Sequence, residues 1–146
     1  MAVERTFFMV KPDGVKRYLS NLILSKMMES GFNVLARKRI VMTSEQARRL
    51  YSVHEGKPFY EGLIKFVTSG PAILTIIEGE NAIERIREMM GATDPRKAAP
   101  GTIRGDNIGD PLLTEDGTIM NICHGSDSLG SAKREIAIFF DEKDLK

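Results

Sequence analysis

The chain has little of what extracellular, metal-binding and membrane proteins depend on. Its 146 residues include one cysteine and two histidines, which excludes an internal disulfide and any metal site built from several thiolates or imidazoles. No stretch approaches the roughly 18 apolar residues that a membrane-spanning helix needs. The first residues show no signal-peptide pattern. We therefore expect a cytoplasmic protein.

An excess of charge is also missing, because 21 basic residues face 20 acidic ones and leave a formal charge of +1. A global field that would attract nucleic acid or an anionic membrane is excluded. The glycine-rich phosphate loops of P-loop and dinucleotide-binding proteins are absent, so a nucleotide would have to be held without either cradle. The length suits one domain, and 42% hydrophobic residues suffice for a core. We expect a single domain over residues 1–146.

Hydrophobic periodicity and turn residues predict strands that alternate with helices. The predicted strands are Arg5–Val10, Val34–Met42, Ala72–Ile77 and Thr118–His124. The predicted helices are Leu19–Gly31, Thr43–Tyr51, Pro58–Val67, Asn81–Gly91 and Leu129–Phe139. The third strand is apolar throughout, as in a central strand covered on both faces. This order predicts an α+β fold, a ferredoxin-like α/β sandwich in which helices cover a four-stranded antiparallel sheet.

Local signals refine this prediction at three places. Thr43 and Gln46 have the spacing of a capping box at the start of a helix. Asn81 can cap the fourth predicted helix with its side chain. Between residues 92 and 117 prolines and glycines interrupt any periodicity, which predicts a long irregular loop before the last strand. Loops of that length in a compact domain are usually functional.

His124 is the main candidate for chemistry because it stands where a strand ends and a helix is about to begin. Unpaired backbone N–H groups at a helix start attract anions. A neutral imidazole there can attack phosphorus if an acceptor fixes its other ring nitrogen, and Glu135 in the following helix could be that acceptor. A lone histidine is more often a hydrogen-bonded structural side chain, so its neighbours must decide.

Five other side chains could bind a nucleotide, and each also has an ordinary alternative role. Lys11 follows a strand and is held by the next proline, which suits a ligand clamp or a solvated turn. Arg87 and Arg104 could bind phosphate oxygens or form surface ion pairs. Thr93 could donate its hydroxyl to a phosphate or cap a turn. Phe59 could stack on a base or anchor a helix.

Two further hypotheses about the chemistry of the last strand are weak. Cys123 lies in an apolar strand, where a cysteine is more often an inert small hydrophobe than a nucleophile. His124 and Asp127 could be two ligands of a metal, but no third or fourth ligand is identifiable nearby.

Five segments, taken together and in order, resemble the nucleoside diphosphate kinases over nearly the whole chain. They are Lys11–Val15, Ser69–Pro71, Gly91–Pro95, Pro100–Asp106 and Asn121–Ser128. The resemblance implies a ping-pong exchange in which a nucleoside triphosphate phosphorylates His124 and a different diphosphate then removes the phosphoryl group.

The resemblance also implies roles near the reacting phosphate. Lys11 and Asn121 match the positions that contact the ribose hydroxyls, and Lys11 also lies near the transferred group. Tyr51 matches the tyrosine beside the catalytic histidine. Ser126 and Glu135 match the residues that position this histidine.

For the rest of the nucleotide, the resemblance assigns the base to Phe59, with Leu63 beside it, and the phosphates to Arg87, Thr93 and Arg104. It implies one Mg²⁺ that is carried mainly by the nucleotide phosphates, without a dedicated protein metal site. Stacking is indifferent to base identity, so broad base tolerance is expected.

The partners implied are nucleoside tri- and diphosphates and further copies of the same chain. A hexamer is the expected homo-oligomer, although tetramers occur in some lineages of the family. No membrane partner and no specific nucleic acid is expected.

The chain departs from the family pattern at two places. Sixteen residues separate Arg104 from Asn121, several more than usual, and the extra piece lies around Asp110–Gly117. Asp116-Gly117 is a hairpin signal, which predicts a small β-excursion before the last strand. Lys57 stands where the family has arginine.

Two alternatives to a kinase remain open from the sequence. A module that only binds nucleotides or nucleic acid would use Phe59 and the cationic side chains but would not need His124. A phosphohistidine carrier in a relay would keep His124 but would not need Phe59, Arg87 or Arg104.

Overall fold

The computed structural model describes residues 2–145. Its strands are β1 (Val3–Val10), β2 (Asn33–Ile40), β3 (Ala72–Glu80) and β4 (Cys123–Gly125). Its α-helices are α1 (Pro12–Lys16), α2 (Ser20–Glu29), α3 (Ser44–Leu50), α4 (Tyr60–Val67), α5 (Ala82–Met90), α6 (Ile103–Asp106) and α7 (Leu129–Phe139). Short 3₁₀ turns occupy Ser52–His54, Pro95–Lys97 and Glu142–Leu145. Within the described part of the chain, no helix is both long and apolar enough to cross a membrane.

The four strands form one antiparallel sheet in the order β2-β3-β1-β4. The two central strands pair along their whole shared length, from Val3 opposite Glu80 to Val10 opposite Ile73. This strand order and direction confirm the predicted ferredoxin-like sandwich. The predicted central position of the third strand is also correct.

Helices cover both faces of the sheet because side chains of β1 and β3 alternate between two cores. Phe7 and Met9 pack on one face with residues of α3, α4 and α7. Phe8 and Val10 pack on the other face with residues of α2 and α5. Each of these four side chains is fully buried, which stabilises the fold by about 1.5–3 kcal/mol per side chain. β1 is therefore fixed on both faces up to the residue that precedes Lys11.

Of the two side-chain caps predicted at helix starts, one is confirmed and one is wrong. Thr43 and Gln46 make both hydrogen bonds of the capping box. Gly31 and Gly91 follow α2 and α5 with φ of +93° and +85°, a conformation that side chains disfavour. The prediction for Asn81 is wrong, since its side chain caps no backbone N–H. Its backbone is left-handed instead, with φ of +51°.

The predicted last strand is too long. Only Cys123–Gly125 pairs with β1, and Ile122 interrupts the extended backbone with φ of +77°. Hydrogen-bond partners from distant segments, described below, hold that turn, and no local pattern could reveal them. Helix α1 was also not predicted, because a proline and a glycine within five residues indicated a turn.

Residues 112–117, which belong to the predicted β-excursion, pair in a small hairpin with residues 118–120, which were predicted to begin the last strand. Leu113 bridges to Ile119, and the N–H of Met120 donates to the carbonyl of Leu112 at 2.9 Å. The predicted β-excursion is therefore confirmed. The hairpin packs against α4 so closely that a Cβ at Gly62 would lie 2.5 Å from Thr118 Oγ1.

Candidate active site

His124 lies in the middle of β4, opposite Met9 of β1, and its ring is joined to α7. Its Nε2 lies 2.7 Å from Glu135 Oε1, and Ser126 Oγ donates to the same oxygen at 2.8 Å. A carboxylate oxygen only accepts, so Nε2 carries the hydrogen and Nδ1 keeps its lone pair. The predicted acceptor, Glu135, therefore fixes one tautomer of the imidazole.

The surroundings of His124 favour its neutral form. Burial lowers the pKa of this imidazole first, and the cations of Lys11 and Arg104 lower it further against the opposing effect of Glu135. At neutral pH the group is then an uncharged nucleophile. Its side chain is still 17% exposed, so it is not sealed inside the core.

Tyr51 packs beside this imidazole, as the family resemblance implied. Its ring meets the His124 ring edge-on, with centroids 5.5 Å apart. Burial raises the pKa of the phenol, which keeps the hydroxyl protonated. That hydroxyl is buried and has no hydrogen-bond partner within residues 2–145, so a donor is available for a bound group.

Lys11 is buried at the end of β1, with 5% of its surface exposed, and its Nζ donates to Asn121 Oδ1 at 2.8 Å. Burial, and then the charge of Arg104, lower the pKa of Lys11 to about 8. The ammonium is thus mostly charged at neutral pH. Asn121 is held from its other side as well, because its Nδ2 donates to the carbonyl of Thr93 at 2.9 Å.

Arg104, from the short helix α6, braces the turn before His124. Its Nε, Nη1 and Nη2 donate to the carbonyls of Asn121, Gly91 and Cys123 at 3.1, 3.1 and 2.7 Å. A guanidinium has five N–H groups, so two remain for a ligand. Burial lowers the pKa of this arginine, but an arginine stays charged in proteins.

Arg87 and Thr93 lie at the edge of this arrangement, and both are exposed. Arg87, in the last turn of α5, donates from Nη1 to the carbonyl of Gly125 at 3.2 Å. It is therefore hydrogen-bonded to the residue that follows His124. We call the hydrogen-bonded set His124, Glu135, Ser126, Lys11, Asn121 and Arg104 the inner network.

A row of aromatic rings leads from His124 toward the surface. Beyond Tyr51 lies His54, whose ring is 6.3 Å from Tyr51 and 5.1 Å from Phe59. Phe59 is 50% exposed. Lys57 Nζ lies 3.1 Å from His54 Nδ1. We call His54, Lys57 and Phe59 the outer cluster.

Comparison with known proteins decides which family has this arrangement. A family model described as nucleoside diphosphate kinase matches residues 4–145. The chain belongs to the nucleoside diphosphate kinase family.

Solved structures of the family agree with this assignment. The chain is 43% identical to a halophilic nucleoside diphosphate kinase from Halobacterium salinarum, with a TM-score of 0.89, covering 99% of this chain and 92% of that one. It is 38% identical to the enzyme from Aquifex aeolicus, with a TM-score of 0.87 and coverage of 99% and 100%. For the enzyme from Borrelia burgdorferi the identity is 32%, the TM-score 0.89 and the coverage 99% and 90%. The resemblance and the fold predicted from the sequence are confirmed, and the chain has nucleoside diphosphate kinase activity.

Within this kinase fold, Leu63 is the candidate that lies apart from the polar groups. It is 9% exposed and packs in the core with Phe7 and the other residues beneath α4. Phe59 precedes it by four residues and faces the surface. The role of Leu63 beside a base stays a prediction.

Sequence reasoning missed two residues that lie beside the candidate site, Asp13 and His54. Asp13 is 8% exposed, and its Oδ2 accepts from the N–H of Ile122 at 3.0 Å, while the N–H of Lys11 donates to the carbonyl of Ile122 at 2.7 Å. The Lys11–Val15 segment therefore fixes the turn before His124. His54 was noticed only as a second histidine, although its place three residues before Lys57 and five before Phe59 was a usable signal.

The structure gives no support to the two alternative hypotheses for the last strand, a nucleophilic Cys123 and a metal site at His124 and Asp127. Cys123 is fully buried, and burial raises the pKa of its thiol to about 11, so the thiolate is disfavoured at neutral pH. Across residues 2–145, no three or more His, Cys, Asp or Glu side chains are grouped to hold a metal ion.

Proposed function

We propose that this kinase works by a ping-pong mechanism in which Nδ1 of His124 carries the phosphoryl group. The observation that supports this most is the 2.7 Å contact between His124 Nε2 and Glu135 Oε1. This contact leaves the lone pair on Nδ1. It also places the Glu135 carboxylate beside the positive charge that the ring acquires on reaction, and so stabilises that charge.

In the first half-reaction the lone pair of His124 Nδ1 attacks the γ-phosphorus of a nucleoside triphosphate. The N–P bond forms, the bond from the γ-phosphorus to its bridging oxygen breaks, and its electron pair leaves with the diphosphate. In the second half-reaction an oxygen of another diphosphate attacks the phosphohistidine and the ring nitrogen leaves. Catalysis of phosphoryl transfer depends mainly on two effects: the reacting groups are held in line, and the negative charge on the oxygens of the transferred phosphoryl group is stabilised.

Lys11, Arg87 and Arg104 supply that charge, and the Thr93 hydroxyl adds a donor. Two observations support these roles. Lys11 and Arg104 are buried cations near His124, and Arg87 donates a hydrogen bond to the carbonyl of Gly125, the residue after His124. Lys11 and Asn121 also present polar groups suited to ribose hydroxyls. Tyr51 and Ser126 help to hold the imidazole.

The base is proposed to stack on Phe59, next to Leu63. Phe59 is half exposed, so one face of its ring is available. Stacking accepts every base, which predicts broad tolerance among nucleotides. Relatives from Halobacterium salinarum in complex with CDP and from Borrelia burgdorferi with vanadate and ADP support a site for different bases.

Mg²⁺ is proposed to enter on the nucleotide phosphates. The donor set fits this, because the cations Lys11, Arg87 and Arg104 would repel a bare ion but can grip phosphates that already carry one. The metal would offset the charge on the phosphate oxygens, and the protein side chains would orient them.

The chain is further proposed to act as one domain in the cytoplasm and to assemble as a homo-oligomer, with a hexamer expected from the family resemblance. Exposed apolar side chains such as Leu22 and Met28 on α2, each at least 50% exposed, are compatible with assembly. Size-exclusion chromatography with light scattering distinguishes a hexamer from a tetramer or a monomer.

A labelling and chase experiment tests the mechanism. The protein is incubated with γ-labelled ATP and Mg²⁺, nucleotide is removed, and GDP is added. We expect acid-labile label on His124 that moves quantitatively to GTP, and none in His124→Ala. Nucleotide binding without label would instead indicate a binding module, and label that no diphosphate removes would indicate a carrier in a relay.

A further inference from the structure

The outer cluster contains a contact to which the proposed mechanism gives no role. Lys57 Nζ lies 3.1 Å from His54 Nδ1 and 5.8 Å from the centroid of the Phe59 ring. The N–H of Lys57 also donates to the carbonyl of His54 at 3.0 Å. Lys57 thus contacts the imidazole of His54 with its side chain and the main-chain carbonyl of His54 with its backbone, and it lies near the aromatic ring.

The chemistry of this contact determines where the hydrogen of His54 lies. An ammonium has three donors and no acceptor, so Nδ1 must be the acceptor. The neutral ring then carries its hydrogen on Nε2, which points away from Lys57. The His54 ring stands between Tyr51, which packs on His124, and Phe59.

We propose that Lys57 is a positioning residue that holds His54 in the single tautomer with hydrogen on Nε2, and so keeps a donor available to the phosphates of a nucleotide. This inference rests on the proposed function. A nucleotide whose base stacks on Phe59 and whose terminal phosphate reacts at His124 would extend alongside the His54 ring, which lies between Tyr51 and Phe59. Lys57 acts through His54 and needs no contact with the nucleotide.

The charges that face His54 support this assignment. Burial lowers the pKa of His54 first, followed by the charge of Lys57, and His124 and Lys11 lower it further. Asp127, from the turn before α7, opposes them. Without Lys57, one of the causes that lower this pKa is lost, so the pKa of His54 rises, and the neutral ring is free to exchange between tautomers.

These two consequences predict an unusual pH dependence for Lys57→Met. Near pH 8 the mutant ring is neutral and spends part of its time in the wrong tautomer, so Mg-ADP binds about two- to tenfold more weakly than to the parent protein. Near pH 6 a larger share of the mutant ring is protonated, and both nitrogens then donate. The ratio of dissociation constants should therefore shrink as the pH falls. Loss of a surface charge that does not act on His54 would leave this ratio unchanged with pH.

The test combines calorimetry and NMR on four proteins. Mg-ADP binding is measured by isothermal titration at several pH values for the parent chain, Lys57→Met, Lys57→Arg and Lys65→Met. Lys65 is an exposed lysine on α4, so its variant is a matched control for lost charge. We expect a pH-dependent loss for Lys57→Met alone, and recovery in Lys57→Arg because a guanidinium is also donor-only.

The tautomer is read from the ring nitrogens of the free protein, where only two histidines contribute. We expect one acceptor-type Nδ1 signal for His54 in the parent protein, exchange-averaged signals in Lys57→Met, and a titration that moves to higher pH. In a His54→Gln background, Lys57→Met should lose its pH-dependent effect on binding.

The outcomes separate the two proposals. A flat affinity ratio, or an unchanged His54 spectrum in Lys57→Met, overturns the role of Lys57 while leaving the kinase site intact. Failure of the parent protein to bind Mg-ADP would instead overturn the nucleotide site, and with it the part of this inference that concerns phosphates. The nitrogen spectra judge the Lys57–His54 contact in either case.

Discussion

Arg104 and Lys57 are both cations of the site, yet they stand in opposite surroundings. Arg104 is 6% exposed and donates to three backbone carbonyls from three different positions along the chain. Lys57 lies on the surface and contacts His54 and Phe59 of its own loop. The inner network is held by buried hydrogen bonds to several segments of the chain, whereas two of the three side chains of the outer cluster, those of Lys57 and Phe59, are exposed. That contrast suits the proposed mechanism, in which one reaction serves nucleotides with different bases.

Changing the acceptor of His124 should have the largest effect among the variants that keep this imidazole. In Glu135→Gln an amide can donate to Nε2, which would move the hydrogen to Nδ1 and remove the nucleophilic lone pair. We expect kcat/KM to fall by about 10²–10⁴-fold, as for other histidines held in the wrong tautomer. Steady-state exchange between ATP and GDP measures this, with the exposed Glu142→Gln as control. A loss below tenfold would show that Glu135 does not set the tautomer.

Among these variants, removing the Arg104 guanidinium should lower the stability of the fold the most. Arg104→Met leaves three carbonyls without their donor, and each such loss costs about 1–3 kcal/mol, so we expect the free energy of unfolding to drop by about 3 kcal/mol or more. Urea denaturation followed by circular dichroism measures the drop. Arg96→Met removes an exposed arginine that pairs with Asp94, and we expect a much smaller change. Equal effects of the two variants would erase the contrast between the buried and the exposed cations.

Removing the aromatic ring of the outer cluster should weaken binding without impairing chemistry. For Phe59→Ala we expect KM to rise about 5- to 100-fold, the range for loss of a stacking ring, and by similar factors for ADP, GDP, CDP and UDP. kcat at saturation should change little, because the inner network is untouched. Steady-state kinetics with the four diphosphates tests this, and a large effect for one base alone would argue against stacking as the common interaction.

The pH profile should show the smallest effect, set by two shifted groups of the inner network. Lys11 must be protonated to hold phosphate, and its pKa is lowered to about 8, so kcat/KM should fall above about pH 8 and not near 10. His124 must be neutral, and since its pKa is lowered, the acid limb should lie below its ordinary value. In Lys11→Arg the alkaline limb should disappear, because an arginine keeps its charge. An alkaline limb that persists in this variant would assign it to another group.

Much of the fold was predictable because its signals are local. The apolar run of β1, the capping box at Thr43 and the glycines that follow α2 and α5 depend on neighbouring residues alone. The last strand was not predictable in the same way. Its turn at Ile122 depends on hydrogen bonds from Asp13 and Lys11, more than a hundred residues earlier in the chain.

The site was predictable to the extent that one histidine and its acceptor lie a short distance apart in the sequence. His124 and Glu135 are separated by one turn and two turns of helix, and the structure joins them as expected. The three hydrogen bonds from Arg104 to backbone carbonyls were not predictable, because every residue has a backbone carbonyl and the sequence does not show which of them will accept. His54 was overlooked for a similar reason, since only the fold places its ring between Tyr51 and Phe59.

The regiochemistry of the phosphorylated enzyme tests the central claim most directly. After reaction with ATP and removal of nucleotide, phosphorus and nitrogen NMR of the histidine-labelled protein can locate the phosphoryl group. The predicted result is a bond to Nδ1 of His124, with Nε2 still hydrogen-bonded to Glu135. A phosphoryl group on Nε2, or on any residue other than His124, would contradict the account.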